Sequence, residues 1–290
     1  MNLQCTLFRQ LSRKQLGLFG SLALMSIIGC GARSDLRVPT DAPTDILSVP
    51  SRDVLVGDAC VGAGCIPDSC REILQRNPAS PSGVYPINPR AQMGVAAFEA
   101  YCDMTRDGGG WTLVLMASRA NPGRFGYDST AWTDDTVVAP EITDPTRDVN
   151  VKSPAFLHVY FTAMRMCLGT LDGCVIEQVS ALSAKRQFTD ARDRVSPLPV
   201  SAYGAWGYDG RLGCNQHGFD VRDLQGSPPP LHGPARIRYG ILLNNEPICE
   251  GSVDGGRGFG IKGYFGTQIS AGKGDGIVGT EHMRGWIFVR

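Results

Sequence analysis

The sequence predicts an α+β fold with an antiparallel sheet core, short helices and long glycine-rich loops of the calcium-holding type, stapled by disulfides. Three observations predict it. Apolar, β-rich runs recur at Val84 to Ile87, Ala97 to Met104 and Trp111 to Ser118, the last two joined by a polar loop holding Gly108, Gly109 and Gly110. Of ten cysteines, eight lie at Cys60 or beyond, an even number that suits an oxidising compartment. Finally, the stretch from Gly213 to Arg290 is dense in glycine and in side-chain oxygens, with Asn244, Asn245, Glu246, Glu250, Asp254 and Asp275 among them.

From the N-terminus, Arg9, Arg13 and Lys14 precede an apolar run from Leu16 to Ile28 that closes on Gly29-Cys30. Thirteen residues fall short of the roughly 20 that span a bilayer, so residues 1–29 read as a signal removed after export. The pattern resembles a bacterial lipoprotein signal, which implies that Cys30 becomes the lipidated first residue and that the protein is anchored in the cell envelope. Gly31 after that cysteine implies the outer membrane or cell surface. An uncleaved anchor or an ordinary signal peptide is the alternative reading. Residues 30–59 carry Pro39, Pro43 and Pro50, several aspartates and few aromatics, too little apolar surface to fold alone. They read as a disordered tether that holds residues 60–290 on the order of 30 Å from the membrane.

Within residues 60–290, Ser69 caps a short helix over Cys70 to Arg76, and Asn77-Pro78 ends it because a residue before proline avoids the α region. Ala79 to Gly83 is a turn by composition. The three β-rich runs then form an antiparallel meander, with Gly108 to Gly110 supplying positive φ and Trp111 covering the sheet. Ser153-Pro154 opens a second short helix through His158. The runs YFTAMRM and VIEQVS form a hairpin across which Cys167 and Cys174 face each other, and GWIFVR at Gly285 to Arg290 reads as a last core strand. Arg124 to Asp135 is a loop carrying Tyr127 and Trp132 among aspartates, either a sugar or calcium site or the packed underside of a long loop. Tyr203, Trp206 and Tyr208 suggest an exposed aromatic patch suited to sugar faces or a protein partner.

The segments SCREILQRNPASPSGVYPI (Ser69 to Ile87) and FEAYCDMTRDGGGWTLVL (Phe98 to Leu115) resemble the opening of the fibrinogen C-terminal-like domain, the family of ficolins and intelectins. The resemblance implies a non-catalytic recognition module for glycans, acetylated groups or surface proteins, and a Cys70–Cys102 disulfide. Cys60 with Cys65 would close a small loop, leaving Cys214 with Cys249. LLNNEPIC, Leu242 to Cys249, is similar to the intelectin segment that contributes to calcium and ligand binding, which implies Asn245 and Glu246 as metal ligands. Asp254 and Asp275 join them on local composition, since calcium takes carboxylates and carbonyls from loops. Intelectins carry a histidine pair that the loop from Gly251 to Gly266 lacks. Three readings therefore stand: calcium that orders loops, calcium that touches ligand, or no ion.

Charge and motif searches narrow the function. The sequence holds 28 basic and 28 acidic residues, and removing residues 1–29 leaves 25 against 28, with the arginines scattered. A nucleic-acid partner is not expected. Gly258 to Gly263 matches GxGxxG without a βαβ frame, and Ala271 to Asp275 lacks the spacing of a phosphate loop. His158, His217, His232 and His282 are dispersed, His217 and His282 reading as surface or loop residues, and no serine occupies a GxSxG elbow. An exported hydrolase is therefore the least favoured class, and no catalytic residue is expected.

Overall fold

Ser69 opens the first helix of the structure, a computed structural model that describes residues 65–181, 183–191, 194–207, 213–222, 235–245, 254–263, 268–275 and 279–290. The signal, Cys30, the tether, Cys60, Tyr208, His232, Glu246 and Cys249 lie outside the described residues. Helix α1 (Cys70–Arg76) is capped by the Ser69 hydroxyl, which accepts the Glu72 N–H at 3.3 Å, and closed by extended Asn77. Strands β1 (Gly83–Ile87), β2 (Phe98–Asp103) and β3 (Trp111–Ala117) form the antiparallel meander. A disulfide between Cys70 and Cys102 ties α1 to β2.

Strand β4 (Val151–Lys152) pairs with β3, and α2 (Ala155–His158) follows. The expected cap at Ser153 needs correction: its hydroxyl is spent on the Leu113 and Val114 carbonyls of β3, and Pro154 begins the helix without a side-chain cap. Strands β5 (Met164–Leu168) and β6 (Cys174–Glu177) form the hairpin, and Cys167 and Cys174 are register partners joined by a disulfide. Helix α3 (Ala184–Asp190) comes next, capped by the Ser183 hydroxyl on the Arg186 N–H. Then follow β7 (Arg194–Val195), a 3-10 helix at Val200–Trp206, β8 (Gln216–Arg222), β9 (Arg236–Leu243), β10 (Gly255–Lys262), β11 (Gln268–Asp275), β12 (Gly279–His282) and β13 (Gly285–Val289).

Two sheets result. One runs β1-β2-β3-β13-β5-β6 with β4 beside β3, so the last strand of the protein sits at the centre of the sheet that the first strands begin. The other runs β12-β11-β10-β9-β8-β7 in near-sequential order. This second sheet overturns an expectation, because the glycine-rich runs read as loops are strands β10 and β11. The register explains the glycines. Gly218, Gly240, Gly258 and Gly272 fall opposite one another across four strands, with φ of 131°, 153°, 149° and 156°. A Cβ on Gly240 would stand 2.0 Å from the Arg257 carbonyl oxygen, and one on Gly258 would stand 2.1 Å from that of Tyr239. Only a residue without a side chain permits this approach.

The main core lies where both sheets and the helices meet, and its aromatics form a continuous series. Trp132 packs on Phe188 at 4.7 Å, Phe188 on Phe219, and Phe219 on Tyr239 at 4.6 Å, while Trp206 meets Tyr239 and Phe259. Tyr127 and Trp132 are thus the packed underside of their loop, the second of the two readings. Tyr203 and Trp206 are buried at 0% and 4% exposure, so the expected aromatic patch is core at both.

Candidate functional site

The motif that is most informative in sequence turns out to be an interior clamp. Asp103 Oδ1 accepts the Thr105 and Arg106 N–H groups, while Oδ2 accepts from fully buried Arg165 at 2.6 Å. Arg165 also reaches Asp107 at 3.3 Å and lies over the Phe288 and Trp111 rings. Arg290 covers Trp111 at 4.2 Å and donates to the Asp107 and Gly109 carbonyls. Burial alone would raise the Asp103 carboxyl, but the Arg165 hydrogen bond, the backbone donors and the Arg165 charge hold it below its usual range. The acidic turn and the GGGW string thereby lock β2 and β3 to β5 and the C-terminal residue, a structural use.

Of the residues expected to hold metal, Asn245, Asp254 and Asp275 gather at one end of the second sheet, and Glu246 lies outside the described residues. Register pairs Leu243 with Gly255, Gly255 with Asp275, and Asp275 with Gly279. Asn245 beyond β9, Asp254 ahead of β10 and Asp275 closing β11 therefore share that end. Asp254 donates its N–H to the Leu243 carbonyl at 2.7 Å, and its Oδ2 accepts the Asn245 N–H at 2.7 Å. Beside them, Asn215 Oδ1 accepts the Asn244 N–H at 3.1 Å. Gly213 lies so close that a Cβ there would meet the Asn244 carbonyl at 1.9 Å. Next to it Cys214 is disulfide-bonded, as is Cys65 at the start of the fold; Cys249 and Cys60, named for them in sequence, lie outside the described residues.

Among the described residues this end offers oxygen donors: the Asp254 carboxylate, side-chain amides and backbone carbonyls at strand ends. That is the chemistry calcium takes, in sets of about six to eight. Among the described residues no three His, Cys, Asp or Glu side chains converge as a metal cluster. Asn245 and Asp254 are brought into direct contact; Asp275 is placed by register alone.

A second polar cluster was missed in sequence. Glu177 on β6 is 1% exposed and lies against the hydroxyls of Tyr239 and Ser196, and Tyr203 donates its hydroxyl to Tyr239 at 3.3 Å. Burial raises the Glu177 carboxyl despite those hydrogen bonds and the Arg194 charge. Burial likewise pushes Tyr203 up to about 12 and Tyr239 well above its ordinary value. His217 packs edge-on against Tyr203 at 5.5 Å, its imidazole held down by burial. His217 and His282 stand on strands β8 and β12, not on loops, with each Nδ1 buried and without a hydrogen-bond partner among the described residues. The signal for this cluster, a glutamate inside an apolar hairpin, was present in VIEQVS.

A mostly antiparallel, disulfide-stapled α+β domain is the class this fold defines. Within it, residues 66–134 match the C-terminal globular domain of the fibrinogen beta and gamma chains, a span that holds α1, β1, β2 and β3 and ends at Asp134. Techylectin-5A of Tachypleus tridentatus is 40% identical over 62 residues, 21% of this chain and 21% of that protein. The match thus spans about a fifth of this relative's length. Together the two matches support a fibrinogen-like domain here. Among the described residues no helix is long and apolar enough to cross a membrane.

Proposed function

We propose that this protein is a non-catalytic, lectin-like recognition module that binds glycans or acetylated groups, with calcium at the Asn245, Asp254 and Asp275 end of the second sheet. Glu246 joins that ligand set on the sequence resemblance. The module is exported and held in a bacterial cell envelope by a lipid on Cys30. The observation that carries the reading is the similarity to a protein named a lectin, in a sequence whose residues 66–134 match the fibrinogen domain. The oxygen donors among the described residues of the sheet end support calcium in particular. A protein-binding adhesin built on Tyr203 and Trp206 loses its supporting observation, because both rings are in the core.

A glycan array probed with the exported protein, in calcium and in chelator, tests this reading. Calcium-dependent binding that falls about tenfold or more in Asp254→Ala is the expected result. If no glycan binds while chelator still lowers the melting temperature, calcium is an ordering ion and the search moves to protein partners.

A further inference from the structure

A buried carboxyl stands where the two sheets meet. Glu177 closes β6 at one edge of the first sheet and lies against the hydroxyl of Tyr239 on β9 of the second, with the Ser196 hydroxyl beside it. Arg194 and Tyr203 tie further side chains to this pair. Arg194 Nη1 donates to Gln187 Oε1 at 3.4 Å while its charge acts on Glu177, and Tyr203 lies edge-on to His217 while donating its hydroxyl to Tyr239. Among the described residues Glu177 Oε2, Gln187 Nε2 and His217 Nδ1 are all buried without a hydrogen-bond partner. Buried polar atoms are normally satisfied, so the junction is closed at a cost.

Residues 194–206 close over it. The stretch runs from β7 through Ser196 into the 3-10 helix that carries Tyr203 and Trp206. Of the elements around Glu177 it is the least firmly held. Strand β6 makes four register pairs with β5, and β9 is paired along both sides, with β8 and β10. By contrast β7 meets β8 in two pairs, Arg194 with Phe219 and Val195 with Gly218, at the edge of its sheet, and Val195 is 72% exposed. Beyond β7 the stretch is tied by the Ser196 N–H on the His217 carbonyl at 3.0 Å and by the Trp206 indole N–H on the Gly173 carbonyl at 3.1 Å. Short edge elements of this kind open at lower free energy than the ladders beneath them. The proton on Glu177 sets what closing costs. A neutral carboxyl suits the interior, whereas a carboxylate must be stripped of water there, with the Arg194 charge offsetting that cost from the surface.

We infer that residues 194–206 form a proton-gated strap, shut over Glu177 while that carboxyl is neutral and released when it ionises, which brings Tyr203 and Trp206 to the surface. The device needs neither calcium nor a glycan and goes beyond the sheet-end reading. The groups facing the carboxyl fix its sign. Burial raises Glu177 above 4.5, so opening releases a proton and the open fraction rises with pH from 4.5 to the folded value, by up to about tenfold per pH unit. His217 acts the other way. Burial holds its imidazole below 6.5, so opening that hydrates it takes up a proton and is favoured toward acid. Tyr203 and Tyr239, both raised by burial, keep their protons throughout.

Hydrogen exchange of the full-length protein tests it between about pH 4.5 and about pH 8, each amide rate being divided by its unfolded-chain rate. Peptides covering residues 194–206 report the strap, and residues 111–117 of β3 serve as reference. Glu177→Gln keeps the shape and removes the proton, leaving His217, which opens the strap toward acid only. The ratio of strap opening in the parent to that in Glu177→Gln is therefore expected to rise about tenfold across the range, with the reference unchanged. Arg194→Gln, at an exposed position, removes the charge that offsets burial, so its strap should open further than the parent's at pH 8 and by a similar amount at pH 4.5. A ratio that does not rise with pH overturns the inference. So does a rise shared by residues 111–117, which would be unfolding of the whole domain, or an Arg194 variant that opens no further than the parent at pH 8.

Discussion

In the first sheet the central strands β3 and β13 are buried at every position from Trp111 to Ala117 and from Gly285 to Val289, and large side chains fill most of them. In the second sheet the four inner positions of one register row, Gly218-Gly240-Gly258-Gly272, have no side chain, and only its ends, Val195 and His282, carry one. The first is held by packed rings, the Asp103–Arg165 pair and two disulfides. The second is held along that row by backbone approaching backbone. A packed side chain can be trimmed at a graded cost, whereas a close backbone approach leaves no room for relaxation.

The difference is broken most directly at the glycine row. Gly258→Val is expected to cost more than about 5 kcal/mol and to leave little folded protein, because the new Cβ would fall 2.1 Å from the Tyr239 carbonyl oxygen at a φ of 149°. Leu115→Ala in β3, fully buried as it is, should cost about 2–5 kcal/mol and keep a cooperative transition. Urea unfolding of both measures the contrast, and a Gly258 variant no worse than the Leu115 variant would dissolve it.

Next in size is the clamp. Arg165→Ala strands the Asp103 carboxylate in the interior and should cost about 4 kcal/mol, and Asp103→Asn with Arg165→Met should recover most of that. Removing the Cys70–Cys102 bridge comes close behind. It closes a separation of 32 residues, so its loss should lower stability by about 3.5 kcal/mol, read from denaturant midpoints of the paired serine variant.

The same division decided what could be read in sequence. From α1 to β3 the contacts are local, so a serine cap, an Asn-Pro stop and three glycines before tryptophan carry almost the whole arrangement. In the second sheet the glycines have meaning only against their register partners, and one string of letters shows GFGIKG without showing that Gly258 lies against Gly240. The run therefore reads as loop. Helix α3 had its signal in Ser183 but no apolar repeat long enough to insist on it. The rings Tyr203 and Trp206 sit among glycines and polar residues, which suggests exposure, yet Tyr239 and Phe259 on distant strands enclose them. For the candidate site, Asn245 was legible through the family resemblance and Asp254 through local composition, while their contact depends on the pairing of β9 with β10.

Two buried carboxyls carry the comparison into pH. Asp103 in the clamp is held below its ordinary 3.8, so its contribution to stability is present at neutral pH and is lost as pH falls through the folded value. Glu177, against Tyr239 of the second sheet, is raised above 4.5, and the sign reverses. The folded state keeps its proton after the unfolded state has released one, so stability falls as pH rises from 4.5 to the folded value and stays lower beyond it. Glu177→Gln has no proton to release and keeps an oxygen for the Tyr239 and Ser196 hydroxyls. The variant should therefore gain on the parent as pH rises through this window, the smallest effect of the series. Urea midpoints of both proteins across that range measure it, and a difference that is constant or shrinks with rising pH would mean that burial does not raise the Glu177 carboxyl.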